Sequence, residues 1–168
     1  MYYKYEYASP IGRLTLASDG SSLVGLWIEG QKHFQYKIVG DLAECCDNSI
    51  FSNAVSWLVR YFAGMKPAIR ELSLSPIGSE FQREVWDILC GIPYGEVVTY
   101  GSIAEKIALA RKLPFMSSQA VGGGVGRNPI SIIIPCHRVI GTDGKLTGYA
   151  GGIDKKEWLL KHEGYLNK

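Results

Sequence analysis

The apolar positions of this chain come first in short runs. Residues 2–8, 12–18 and 22–28 are rich in Tyr, Leu, Val and Thr and are separated by SPIG and SDGS, both good turn sequences. They predict a small antiparallel sheet. From residue 49 the spacing becomes helical: SIFSNAVSWLVRYFA sets Phe51, Val55, Leu58, Val59 and Phe62 on one face, and Gly64 and Pro67 close the pattern. The stretch 66–77, with Pro67 and Pro76, reads as a connection between a strand-and-helix domain over 1–77 and a second domain over 78–168.

In the second half, SEFQREVWDIL opens on Ser79, three residues before Gln82. This capping-box spacing is followed by a face of Phe81, Val85, Ile88 and Leu89. After the turn-rich GIPYGEVVTYG, a helix starting at Ser102 carries Ile103 and Ile107 inward, and SSQAVGGGVG from Ser117 starts a third candidate helix. Helix, turn and helix is a spacing used by DNA-binding domains, and also by helix pairs that bind nothing. ISIII at 130–134 reads as an apolar strand, ended by Pro135, which has no N–H to give a ladder.

Composition narrows the class. The chain has 168 residues, 46% hydrophobic and 20% charged, enough for genuine cores. Neither a membrane-length apolar run nor a signal-peptide core in MYYKYEYASPIG is present, so a soluble cytoplasmic protein is expected. Net charge is +2, with seven basic and seven acidic residues up to residue 77 and eleven and nine after it, too even to argue for nucleic acid alone. Cys45, Cys46, Cys90 and Cys136 lack C-x-x-C spacing, which predicts free thiols, no zinc site and no metal.

Gly122, Gly123, Gly124 and Gly126 would each cost a helix up to about 1 kcal/mol relative to alanine. They fit a flexible loop, tight helix packing, or close approach to something flat or narrow such as a minor groove. A phosphate-binding loop is disfavoured, because Arg127-Asn128-Pro129 follows instead of Lys-Ser/Thr.

Cys136 lies where the apolar run ends. A buried free cysteine is ordinarily a small hydrophobe. His137 and Arg138 follow it at once, however, and titratable groups are seldom carried into a core unpaired. Neighbours on a strand face opposite ways, so contact between thiol and imidazole would need a turn or a bridging water. An imidazole that takes the thiol proton and is held by a carboxylate, for which Glu163 is a candidate, would give an activated nucleophile. His33 and His162 are the other histidines.

PCHRVI at 135–140, preceded by QAVGGGVGRNP and followed by GYAGGIDKKEWLLKHEG, closely resembles the methylated-DNA-protein-cysteine methyltransferases, the O6-alkylguanine-DNA alkyltransferases. The likeness runs nearly continuously from Phe81 to Gly164, and SPIGRLTL resembles the family's N-terminal domain. It implies an α+β protein in which the small N-terminal sheet and helix are ribonuclease H-like and the C-terminal domain is a winged helix-turn-helix. The implied activity is DNA repair by single-use transfer of an alkyl group from O6-alkylguanine to Cys136, with O4-alkylthymine a further candidate and no cofactor. In that pattern His137 deprotonates the thiol through a water, Glu163 orients the imidazole, Asn128 braces the turn and Tyr100 donates to the departing guanine. The backbone around Val139, Tyr149 and Ala150, together with Gly151, shapes the base pocket, and Gln119, Ala120, Gly122 and Gly123 lie on the recognition helix. Gln119 departs from the family's usual arginine there, losing its charge and stacking plane. The implied partner is double-stranded DNA bound by a monomer, with no membrane. A thiol hydrolase using Cys136 and His137 is the alternative enzyme; a lesion-binding module without chemistry would lack the cysteine. Packing is the default role for Cys45, Cys46 and Cys90.

Overall fold

The computed structural model describes residues 1–44 and 48–167. Strands β1 (Tyr2–Ser9), β2 (Gly12–Ser18) and β3 (Leu23–Ile28) form antiparallel neighbours, each within a residue or so of the expected bounds. The sheet is mixed rather than purely antiparallel, because a fourth strand, β4 (Leu42–Glu44), pairs parallel with β1 and gives the order β3-β2-β1-β4. Three residues are too few for a periodic signal, so β4 had no counterpart in the sequence pattern.

Helix α1 (Ser49–Phe62) is capped by the Asn48 side chain, which accepts from the Ile50 N–H. It is rotated from the expected face. Phe51, Ala54, Trp57, Leu58 and Tyr61 are buried, whereas Val59 is 50% exposed. Both stripes obey helical spacing, and the one with the larger aromatic area faces the core.

Helix α2 (Glu80–Cys90) begins with the full capping box of Ser79 and Gln82. A short strand β5 (Val98–Thr99) leads into α3 (Tyr100–Ala110), and Ser117 caps α4 (Ser118–Gly126). The glycine-rich stretch is therefore a helix. Gly124 explains part of it: a β-carbon there would meet Val85 Cγ2 at 3.4 Å, and its carbonyl accepts from Trp86 Nε1 at 2.9 Å, so α4 lies close on α2. Packing does not demand Gly126, which has open space where a side chain would begin. Strand β6 (Val139–Ile140) pairs parallel with β5, and α5 (Ile153–His162) closes the fold.

Residues 130–134 are not a strand. Their apolar run reflects burial on every side, not pleating. The Ile133 N–H bonds the Ser131 carbonyl at 2.8 Å around Ile132, a β-branched residue at φ 70°. This left-handed γ-turn is costly and must be held from outside. Asn128 holds it: its amide nitrogen donates to the carbonyls of Ile134 (2.8 Å) and Ile130 (3.3 Å), and its oxygen accepts from the Ile130 N–H (3.0 Å). A second tight turn around Pro135 brings the Cys136 N–H to the Ile134 carbonyl at 2.8 Å. Asn128→Ala should cost about 1–3 kcal/mol by stranding buried backbone groups, read as a drop in urea midpoint.

One buried cluster runs through both halves of the chain. The outer edge of β3 is used along its length. Leu23 exchanges backbone hydrogen bonds with Ser73 and Ser75, and Leu26 does so with Pro129 and Ser131. No helix among the described residues is long and apolar enough to cross a membrane.

Candidate active site

Cys136 opens a single 3-10 turn, Cys136–Arg138, at the foot of the γ-turn segment. The turn does what a strand could not, rotating consecutive side chains to different partners. Cys136 is 5% exposed and lines a half-open pocket of about 200 Å³. Tyr100, Gly122, Tyr149 and Ala150 form other walls. Lys32 and His33, from the segment after β3, close the remaining side, and the Lys32 N–H donates to the Ala150 carbonyl at 3.0 Å.

His137 is fully buried behind the thiol. Its Nε2 lies 2.6 Å from Glu163 Oε2, so Nε2 carries the proton and Nδ1 is left as a bare acceptor, buried with no hydrogen-bond partner. Arg138 grips the same carboxylate through Nε (2.7 Å) and Nη2 (3.0 Å) and donates through Nη1 to the Ile92 carbonyl (2.6 Å). The Gly95 N–H and the Tyr61 hydroxyl also donate to Glu163. Burial works against the carboxylate charge, but the bonds from His137 and Arg138 outweigh it and hold Glu163 well below the usual carboxyl range.

Burial also pushes the Cys136 thiol up, although a hydrogen bond from Asn128 and the Lys156 charge oppose it. The resting group is a thiol that needs a base. Burial lowers His137, which keeps the imidazole neutral and able to serve as that base. Burial raises Tyr100, with the Cys136 charge adding to the effect, so its phenol keeps its proton. Tyr149 is raised well above its ordinary value by burial and by Cys136.

Most expected site residues converge here. Asn128 supports the turn, while Tyr100, Gly122, Tyr149 and Ala150 face the pocket. Val139 does not line it; its side chain is buried in β6, and its carbonyl accepts from Lys156 Nζ at 2.5 Å. Gly151 packs behind the wall, where a β-carbon would strike Ile28 Cδ1 at 2.8 Å. Gln119 and Ala120 are exposed. Gln119 borders a shallow depression that shares Tyr100 and Gly122 with the pocket, which places it at the mouth. The Gly123 carbonyl accepts from Arg127 Nη1 at 3.3 Å.

Lys156 was missed. Buried on α5, it donates to the carbonyls of Val139, Thr147 and Gly148, fixing the loop that carries Tyr149, and burial lowers its pKa to about 8. A lysine one turn into an amphipathic helix looks like any solvated side chain. Cys90 is half-buried on α2, with its pKa pushed by burial to about 11, whereas Cys45 and Cys46 lie outside the described residues. Among the described residues no cluster of three His, Cys, Asp or Glu could hold a metal ion.

Comparison with known proteins gives the same picture. The profile of the 6-O-methylguanine DNA methyltransferase ribonuclease-like domain matches residues 1–76, and that of the 6-O-methylguanine DNA methyltransferase DNA binding domain matches residues 80–165. The methylated-DNA–protein-cysteine methyltransferase of Methanosarcina barkeri is 46% identical over 164 residues, 97% of each chain. The solved Mycobacterium tuberculosis O6-methylguanine methyltransferase superposes with a TM-score of 0.78 at 41% identity, covering 97% of this chain and 93% of that one. The structure of Mycobacterium tuberculosis OGT in complex with DNA aligns with a TM-score of 0.79 at 43% identity over 96% and 91%. With both profiles together spanning nearly the whole sequence and the reactive turn in place, this chain belongs to the 6-O-methylguanine DNA methyltransferase family.

Proposed function

We propose that the protein repairs DNA by direct reversal, moving the alkyl group of O6-alkylguanine irreversibly to Cys136. One observation carries this reading: Cys136 lines a pocket, and behind it His137 offers a bare Nδ1 while Glu163 holds Nε2. A guanine inside a duplex cannot reach such a sulfur, so the base is flipped out at a cost of a few kcal/mol.

The thiol proton passes through a water to His137 Nδ1, and Glu163, itself fixed by Arg138, holds the resulting imidazolium in place. Sulfur then bonds to the alkyl carbon as the carbon–O6 bond breaks. The electron pair stays on the guanine, which takes a proton from Tyr100. The proton count closes when the imidazolium proton returns through solvent to the Tyr100 phenolate. The product is a thioether with no leaving group, so the site is spent after one transfer.

Double-stranded DNA carrying the lesion is the partner we infer, met by a monomer in the reducing cytoplasm. The DNA-bound relative supports this, as does the exposed first turn of α4 at Gln119 and Ala120. In this reading α4 enters the minor groove, with Ala120, Gly122 and Gly123 allowing close approach and Gln119 filling the gap left by the flipped base. Gln119→Arg should tighten binding to a lesion duplex by about 1 kcal/mol and speed transfer, as measured by salt-dependent anisotropy and quenched-flow.

The deciding experiment is intact-mass analysis after incubation with an O6-methylguanine duplex. One gain of about 14 Da per molecule, mapped to Cys136, is expected. Continued product release beyond one equivalent would instead indicate a hydrolase.

A further inference from the structure

The N-terminal half contributes a group to the relay that no part of the reaction scheme has used. Tyr61, on α1, is 1% exposed, and its hydroxyl donates to Glu163 Oε2 at 2.6 Å. His137 Nε2 meets the same oxygen at the same 2.6 Å. Among the described residues, Tyr61 is the one donor to Glu163 that comes from before residue 77.

The residue is fixed at both ends. Its ring stacks on Trp57 at 5.6 Å with planes 8° apart, and Tyr94 meets it edge-on at 6.0 Å. Its carbonyl lies 2.8 Å from His162 Nε2, one residue before the carboxylate that its hydroxyl holds. Packing alone would be satisfied by phenylalanine. A buried hydroxyl is costly unless bonded, and this one has a charged acceptor. Burial, and then the neighbouring Glu163 charge, keep the phenol far from ionising, so it remains a donor over the working pH range.

We propose that Tyr61 is a positioning residue for alkyl transfer: its hydroxyl pins Glu163 Oε2 where it can hold the His137 imidazolium, which makes the N-terminal half part of the relay. This deepens the alkyl-transfer reading and rests on it. Arg138 grips both carboxylate oxygens and the Gly95 N–H holds Oε1, whereas on Oε2, the oxygen that meets His137, the Arg138 bond is the longer one at 3.0 Å. Tyr61 supplies the short second donor on that histidine side. Without it the imidazolium is held less well, thiolate formation becomes harder, and the acid-side inflection of transfer, set by protonation of His137, moves down.

The test places two near-isosteric analogues at position 61 of the full chain. 4-Aminophenylalanine keeps a donor; 4-methylphenylalanine fills the same space without one. Tyr61→Phe serves as the natural-residue counterpart. Single-turnover transfer from an O6-methylguanine duplex is followed across pH, alongside thermal unfolding. The methyl analogue and Tyr61→Phe should transfer about tenfold or more slowly at neutral pH, with the acid-side inflection about one unit lower. The amino analogue should stay within about threefold of wild type. Coincident inflections for the two analogues, or rate losses that only follow lost folded protein, would overturn the assignment. A wild-type protein that acquires no alkyl group would overturn the transfer reading instead.

Discussion

Cys136→Ala should take up no alkyl group at all from an O6-methylguanine duplex while remaining folded. In the proposed reaction the sulfur forms the new bond, and neither His137 nor Tyr149 can replace it. His137 is wholly buried behind the turn, and Tyr149 is held far above its ordinary pKa. The structural cost is small, because the turn is built by the Cys136 backbone N–H and by Asn128, not by the thiol. Loss of one buried sulfur should lower stability by about 1 kcal/mol, roughly the value of a buried methyl-sized group. Mass spectrometry and a urea melt on the same preparation check both halves, and an equal mass gain in the variant would refute the assignment of the nucleophile. The variant should still bind the lesion duplex, because the pocket walls and α4 are untouched.

Glu163→Ala should damage both chemistry and fold. The carboxylate is the common acceptor for His137, Arg138, Tyr61 and the Gly95 N–H, all buried or nearly so. Removing it leaves the Arg138 guanidinium in the interior with the Ile92 carbonyl and the Tyr94 ring but no opposite charge, a situation that costs about 3–5 kcal/mol. Transfer should fall by roughly 10²–10⁴, since the imidazolium loses the charge that stabilises it. The pH dependence gives an independent check. Glu163 is held well below the ordinary carboxyl range in the folded state, so its contribution is complete above about pH 4.3 and is lost as pH falls below that value. Wild type should therefore lose stability between about pH 5 and pH 2, and the variant should lack that component of the slope. Thermal unfolding at a series of pH values measures the difference.

Local rules carried the sequence reading furthest. The SPIG and SDGS turns placed the first three strands, and the Ser79–Gln82 pair marked the start of α2 to the residue. Periodicity failed where two faces were equally apolar, as on α1, or where burial was complete, as at 130–134. An apolar run there signals an interior and not a conformation, and the left-handed Ile132 is set by Asn128, not by any preference of isoleucine. In the site, Cys136 and His137 stood out because titratable groups ended a core segment. Glu163 was a candidate carboxylate from its residue type, but its convergence on His137 was not legible locally. Tyr61, Lys32 and His33 were beyond reach because each comes from the other half of the chain, and nothing local distinguishes a tyrosine on an apolar helix face from any other.

The backbone pairing of β3 with both the 73–75 segment and the 129–131 segment has a practical consequence for anyone dividing the gene. Cutting at residue 77 would leave the 73–75 pairing within one product but part β3 from 129–131, baring a stretch of adhesive ribbon on that product and a greasy isoleucine knot on the other. The separate pieces should precipitate when expressed alone and recover only when produced together.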